Sequence, residues 1–299
     1  MAKVSFILPT RFETYQVQGM SVIQRTVKDI YEKATGEFEV IVAFDGPPYQ
    51  DFPEYPNLKV LRLPEWGGIK VAINEAAKEA TGKYLLKLDG HCSVGEGIDE
   101  ILQASMEDNW VVTPRFYVLN AEEWKWQDNR FYDFFYLPSP WNYKAGFLFQ
   151  SGGHWSNRTR ERLDIPIDEN MKLHGSSFFM TKDFYWNCLG GLDPTNGAGS
   201  WCGEDIEISM KTWLGPWGAK LMVNKNTWYA HMHRGGQRPR EWPVSYNAAV
   251  RSAVWTAEYW MHNRWEKQAH DIEWLIDRFM PVPGWAENWK DKYKEYLNG

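Results

Sequence analysis

Cysteine is scarce: Cys92, Cys188 and Cys202 are the three in 299 residues, and no CxxC pair occurs. That excludes a disulfide framework or a zinc knot, and leaves a chain expected in a reducing cytoplasm. Long apolar runs are missing too. No stretch approaches the roughly 20 residues that a membrane-spanning helix needs, so no membrane partner is expected. The opening MAKVSFILPT has one lysine and a short β-like run ending at Pro9, without the length or cleavage site of a signal peptide. Secretion is therefore not expected. Basic charge is in deficit, since 33 Lys and Arg face 39 Asp and Glu for a formal net charge of -6. This argues against non-specific nucleic-acid binding as the main purpose. The first strand is not followed by GxGxxG, and GxxxxGK[ST] occurs nowhere; the usual signatures of dinucleotide and P-loop binding are absent. Phosphates bound here would need something other than a glycine cradle to neutralise them.

What is abundant is aromatic: 18 Trp, 15 Tyr and 15 Phe. Such rings fill cores and also stack on sugars or bases, and packing accounts for most of them. The length suits one large α/β domain or two smaller ones. Residues 3–8 (KVSFIL) and 38–44 (FEVIVAF) are apolar runs stopped by Pro9 and by Asp45-Gly46-Pro47, and read as buried strands. Between them, residues 17–33 carry Met20, Ile23, Val27, Ile30 and Tyr31 at helical spacing and close at Gly36. The pattern recurs as a strand over 58–63, a helix opened by Gly67-Gly68 and stopped at Gly82, and a strand over 84–88 (YLLKL). Such alternation predicts a parallel sheet.

Ligands of these sheets lie outside the carboxyl ends of the strands. The residues at those ends are Thr10 and Arg11, Asp45, and Asp89-Gly90-His91. An Asp after a strand is often only a turn or cap residue, but three polar strand ends on one edge point to a nucleotide site. An Asp-x-His motif can hold a hard cation that also accepts diphosphate oxygens, and its imidazole widens the choice towards manganese, with magnesium the alternative. Further on, a short strand over 177–180 precedes a Gly-rich loop into Trp201-Cys202-Gly203-Glu204-Asp205. Helical periodicity over 206–213 puts Glu204 and Asp205 at a helix N-terminus, where acidic residues also simply complement the helix dipole.

Taken in order, VSFILPT, VAFDG, LKLDGHCS, WCGEDIEIS and AHMHR resemble the GT-A glycosyltransferases, particularly family 2 and the polypeptide N-acetylgalactosaminyltransferases, over about residues 3–234. The resemblance implies a Rossmann-like nucleotide-diphospho-sugar transferase fold, α/β with a mostly parallel central sheet plus C-terminal helices. It implies a catalytic domain over 1–234, with 101–173 as an acceptor-side insertion, and a loop with helical extension over 235–299. LDGHC is similar to the family's Asp-x-His metal motif and AHMHR to its His-x-x-Arg segment. Asp89, His91 and His231 are thereby assigned to a divalent metal, manganese first, and Arg234 to the diphosphate; His233 is the rival to His231. Thr10, Arg11 and Asp45 are implied around the uridine and Trp201 and Glu204 beside the donor sugar. Gly68, Lys70, Gly90 and Gly203 complete the expected nucleotide-sugar contacts.

Where the N-acetylgalactosaminyltransferases have Glu-Asn, this chain has Glu204-Asp205, as in inverting family 2 enzymes. That departure favours an inverting transfer with Asp205 as base. Outside the resemblance, Trp124, Trp126, Trp141 and Trp155 interleave with Arg115, Arg130, Arg158, Arg160 and Arg162. This segment reads either as an acceptor surface or as a packed insertion with a basic rim. GGQRPREWP, after Arg234, reads as a mobile loop over the donor, followed by helices over 244–279 and a final amphipathic helix. The expected function is transfer of a sugar, from a UDP-linked donor, to an acceptor hydroxyl. A retaining transferase acting on protein or glycan and a non-catalytic carbohydrate-binding protein are the alternatives. NKNTWYAHMHR is also similar to glycosyltransferases of tailed phages, which would make a hydroxymethylated DNA base the acceptor.

Overall fold

The computed structural model describes residues 3–144, 146–149, 153–195, 203–233 and 245–298. The chain runs β1 (Val4–Thr10), a hairpin of β2 (Gln16–Val17) and β3 (Met20–Ser21), α1 (Val22–Lys33), β4 (Phe38–Phe44), β5 (Leu58–Arg62), α2 (Ile69–Glu79), β6 (Tyr84–Leu88), β7 (Cys92–Val94) and α3 (Ile98–Ala104). It continues with β8 (Trp110–Asn120), β9 (Lys125–Tyr132), α4 (Ser156–Glu161), β10 (Ile167–Glu169), β11 (Ser177–Thr181), a π-helical turn over Phe184–Cys188, α5 (Glu204–Leu214), β12 (Lys220–His231), α6 (Tyr246–Met261), α7 (Ile272–Phe279) and α8 (Trp289–Asn298).

The first helix starts five residues later than its apolar spacing suggests. Gln18 and Gly19 both take positive φ, 50° and 83°, which turns the chain into the β2–β3 hairpin. Ser21 then caps α1, its backbone N–H donating to Gln24 Oε1 at 3.0 Å, one half of a capping box.

Among the described residues ten strands form the main sheet along the path β10-β12-β8-β11-β6-β1-β4-β5, with β7 on β12 and β9 on β8. The stretch β5-β4-β1-β6 is all parallel. Beyond it β11 runs antiparallel to both β6 and β8, while β12 is parallel to β8. The segment expected as an insertion therefore supplies an internal strand, β8, between β12 and β11.

Strand residues alternate between two cores, as a period of two requires. Ile7 and Ile41 face α2, α5 and the C-terminal helices, while Phe6, Leu8, Val40 and Val42 face α1 and α3. Trp260, Trp265, Leu275 and Trp285 share the first core, so most tryptophans are packing residues. Arginines of the central segment are tied down as well: Arg115 grips Asp133 through two contacts of 2.7 and 2.8 Å, and Arg162 pairs with Asp168. Among the described residues no helix is long and apolar enough to cross a membrane.

Candidate active site

Parallel register brings the ends of β1, β4 and β6 to one edge. Thr10 stands beside Phe44 in the ladder, and the Asp45 N–H donates to Thr10 O at 2.8 Å. Asp45 Oδ1 accepts the backbone N–H groups of Gly67 and Gly68, both at 2.7 Å. Gly68, the cap of α2, has φ 92°, a conformation that favours glycine. Arg11 stacks 3.8 Å from the Trp66 ring, and Trp66 Nε1 donates to Pro47 O at 2.8 Å. Gly46 makes room for that ring: a Cβ there would lie 2.0 Å from Trp66 Cδ1.

The second cluster forms where β6 turns into β7. At Gly90 a Cβ would meet Ile23 Cδ1 at 2.9 Å and Thr10 Oγ1 at 3.3 Å, so the turn passes tightly under β1. Antiparallel pairing sets His231, the last residue of β12, opposite Cys92, and the Met232 N–H donates to His91 O at 3.0 Å. The two imidazoles end with ring centroids 4.7 Å apart. His231 Nε2 lies 3.2 Å from Asp89 Oδ2. One ligand atom from each of Asp89, His91 and His231 lies within 4.8 Å of the other two. His233 is exposed, its ring centroid 5.3 Å from that of His231, and among the described residues it is outside this group.

Partners behind the trio fix its geometry. The fully buried Lys87 ammonium donates to Asp89 Oδ1 and to Gly175 O at 2.5 Å. Burial pushes the Asp89 carboxyl up, but Lys87 above all, then His231 and His91, outweigh it and hold Asp89 well below the usual carboxylate range. Burial and the neighbouring His91 push His231 down to about 4, against the pull of Asp89. His231 is then neutral at neutral pH, with a lone pair to give, as a metal ligand must be. A carboxylate oxygen and two imidazole nitrogens form a donor set suited to a borderline divalent ion such as manganese. The residues fit a cation of that kind.

In the same cavity as the trio, α5 opens with the acidic pair. Gly203 has φ 88° and releases Glu204 and Asp205 into the first turn. Asp205 is buried and pairs with the fully buried Lys172. Glu204 Oε2 is buried without a hydrogen-bond partner, and a Cβ on Gly175 would stand 2.7 Å from Glu204 Oε1. Burial first, and the neighbouring Asp205, push the Glu204 carboxyl up to about 7.

These groups share one cavity of about 620 Å³, lined by Thr10, Arg11, Asp45, Gly68, Asp89 and Gly90. His91, His231, Gly203, Glu204 and Asp205 line it too, and Val250 and Ala253 of α6 add apolar surface. Of the described residues expected to hold the metal, the nucleotide sugar or the proton, Lys70 alone is not in the lining, its Nζ pairing with buried Glu207 at 2.7 Å, and none of the tryptophans and arginines of the central segment lines it. Trp201, Arg234 and the loop expected after it lie outside the described residues. Sequence reasoning missed Glu13, which contacts His91 Nδ1 through Oε1 at 3.2 Å, together with Trp66, Lys87 and Lys172. A lysine inside an apolar strand, as in YLLKL, is the one signal that could have disclosed a buried counter-ion.

A family model, "Glycosyl transferase family 2", matches residues 5–185. Polypeptide N-acetylgalactosaminyltransferase 5 of Caenorhabditis elegans is 27% identical over 262 residues, covering 82% of this chain and 40% of the relative. Polypeptide N-acetylgalactosaminyltransferase 3 of Taeniopygia guttata is 27% identical over 210 residues, 70% of this chain and 33% of the relative. Thus the chain spans well under half the length of these relatives. Among solved structures, GalNAc-T7 with UDP, GalNAc and Mn2+ superposes with a TM-score of 0.64 at 19% identity, covering 99% of this chain and 55% of that one; the likeness carries the fold.

Proposed function

The chain belongs to glycosyl transferase family 2, and from that premise we propose that it transfers a sugar from a UDP-linked donor to an acceptor hydroxyl. Asp89, His91 and His231 hold a divalent cation, manganese in the first instance. The observation that carries this reading is the convergence of those three side chains in the same cavity as the strand ends Thr10 and Asp45. A related fold bound to UDP, GalNAc and Mn2+ supports both the donor class and the metal.

When bound, the cation would neutralise charge on the donor diphosphate as it departs. The chain's own residues do the rest. Thr10, Arg11 and Asp45 bind the nucleotide, Gly68 and Gly90 let it approach the backbone, and Arg234 meets the diphosphate. One carboxylate of the Glu204-Asp205 pair accepts the acceptor's proton in an inverting displacement; likeness to inverting members favours Asp205. In this reading 1–234 is the catalytic domain, 101–173 faces the acceptor, and 235–299 is an extension that includes the C-terminal helices. A reducing cytoplasm suits the unpaired Cys92 and Cys188. For the acceptor, a glycan, a protein and a hydroxymethylated DNA base are the three classes to assay.

The test is UDP release from a panel of UDP-sugars with Mn2+, with a chelator, and in His91→Ala and His231→Ala. Release should require the metal and both histidines. A rate indifferent to chelation would sink the proposal.

A further inference from the structure

One histidine of the cavity has no part in the metal trio. His174 is half-buried and lines the cavity, its ring centroid 5.7 Å from that of His231. Two phenylalanines hold the ring: Phe116 of β8, with centroids 4.8 Å apart and planes at 24°, and Phe135 at 5.3 Å. Both are buried, and in a close-packed interior a ring so clamped keeps one orientation.

Its tautomer is fixed from behind. The backbone N–H of Ser176 donates to His174 Nδ1 at 3.3 Å. Ser176 is 1% exposed, and a buried backbone N–H must be paired, so Nδ1 has to remain an acceptor. Ser176 Oγ stands 2.6 Å from the same nitrogen and 2.8 Å from Tyr229 Oη. With Nδ1 accepting, the proton of the imidazole is on Nε2. That nitrogen, on the far side of the ring from Ser176, forms no hydrogen bond with the described residues and is open to the cavity. It is a fixed, neutral donor without an acceptor.

Position narrows what it can meet. His231, on one side, belongs to the cation site that would hold the diphosphate. Gly175, next in the chain, packs on Glu204, where an added Cβ would lie 2.7 Å from Oε1. The transferred sugar has to lie between the departing diphosphate and the acidic pair, because its anomeric carbon loses one bond and gains the other. A neutral N–H at that point suits a neutral oxygen acceptor. Resting on the UDP-dependent reading above, we propose that His174 is a donor-specificity residue, its Nε2–H donating to a hydroxyl oxygen of the transferred sugar. Ser176 and Tyr229 act through it, as positioning residues that keep the proton on Nε2. The contact distinguishes UDP-sugars by one hydroxyl and is indifferent to the uridine.

The test measures UDP release without an acceptor, water taking the sugar, so that only the donor is at issue. His174→Ala should lower kcat/KM for the fastest UDP-sugar by about 3- to 10-fold, the share of one neutral hydrogen bond, while affinity for UDP in Mn2+ stays within about twofold of the parent. His174→Gln, whose amide also ends in an N–H donor, should recover most of that loss. Monodeoxy analogues of the same donor locate the contact: one of them should already be slowed about 3- to 10-fold in the parent and lose nothing more in His174→Ala. His174→Phe, a ring without a donor, should show the alanine loss and replaces that variant if it fails to fold. An equal fall in affinity for UDP itself, a glutamine variant as slow as alanine, or losses that add for every deoxy analogue would overturn the assignment. So would an unchanged kcat/KM in His174→Ala or His174→Phe. A parent chain that neither binds UDP with Mn2+ nor releases it would instead refute the donor reading beneath this proposal, so the two failures are told apart.

Discussion

Glu13 gives the sharpest test of the metal site, because it touches a ligand without belonging to the trio. Its Oε1 stands 3.2 Å from His91 Nδ1, and its side chain is 4% exposed, so the contact is shielded from water. A carboxylate there favours a proton on Nδ1, which leaves the other ring nitrogen to a cation. Removing such a partner costs about 10- to 100-fold in metal affinity, or about 1.4–2.8 kcal/mol at 1.4 kcal/mol per decade. Glu13→Ala should therefore weaken Mn2+ binding by that factor, measured by calorimetric titration or by the loss of the free-ion paramagnetic signal. Glu13→Gln should fall between, since the amide oxygen can still accept from Nδ1 but carries no charge. Folding is checked by the far-ultraviolet dichroism of each variant. A Glu13→Ala chain, folded as the parent and binding Mn2+ just as tightly, would refute the claim that His91 is oriented from behind.

Further consequences follow from single contacts. Burial and Asp205 raise the Glu204 carboxyl to about 7, and a carboxyl raised in the folded state stabilises most below its unfolded value and loses that contribution as pH rises through about 7. Melting curves from pH 5 to 8 should show the loss, and Glu204→Gln should abolish it. Gly46→Ala forces a Cβ to within 2.0 Å of Trp66 Cδ1 at φ 77°; a fall of about 1–2 kcal/mol in stability and a raised donor KM are expected, and an unchanged KM would detach Arg11 and Trp66 from the nucleotide. Trp260→Ala, at a ring 2% exposed and packed in the core shared with α2, should cost about 3–5 kcal/mol in denaturant unfolding. A negligible cost would mean that the C-terminal helices are an appendage.

The parallel half of the fold was legible because its signals are local. Strands over 38–44 and 84–88 were bounded by Asp-Gly turns, and the structure has Phe38–Phe44 and Tyr84–Leu88. Thr10, Asp45 and Asp89 were legible for a related reason: a parallel sheet sends all its strand ends to one edge. The start of α1 was misjudged because the apolar spacing of Met20 and Ile23 continues through a hairpin whose turn depends on two positive φ angles. β8 was hidden differently. Its aromatic and arginine residues suited a surface equally well, and only pairing with β12 and β11, distant in sequence, makes it an internal strand. Lys172 was invisible for the same cause, since its counter-ion lies 33 positions away.

Charge explains why such lysines are needed. A diphosphate entering this cavity, as proposed, would meet Asp89, Glu204 and Asp205, and in a shielded site uncompensated anions would repel it strongly. Lys172 and Lys87 remove most of that repulsion from beneath, at Asp205 and at one oxygen of Asp89. The other oxygen, Asp89 Oδ2, faces His231, so a cation held there would spend less of its field on the protein and more on the donor. Lys87→Met should then strand Asp89's charge and tighten Mn2+ while weakening UDP, whereas a purely structural lysine would lower both affinities together. Paired titrations of Mn2+ alone, and of UDP at saturating Mn2+, distinguish the two outcomes.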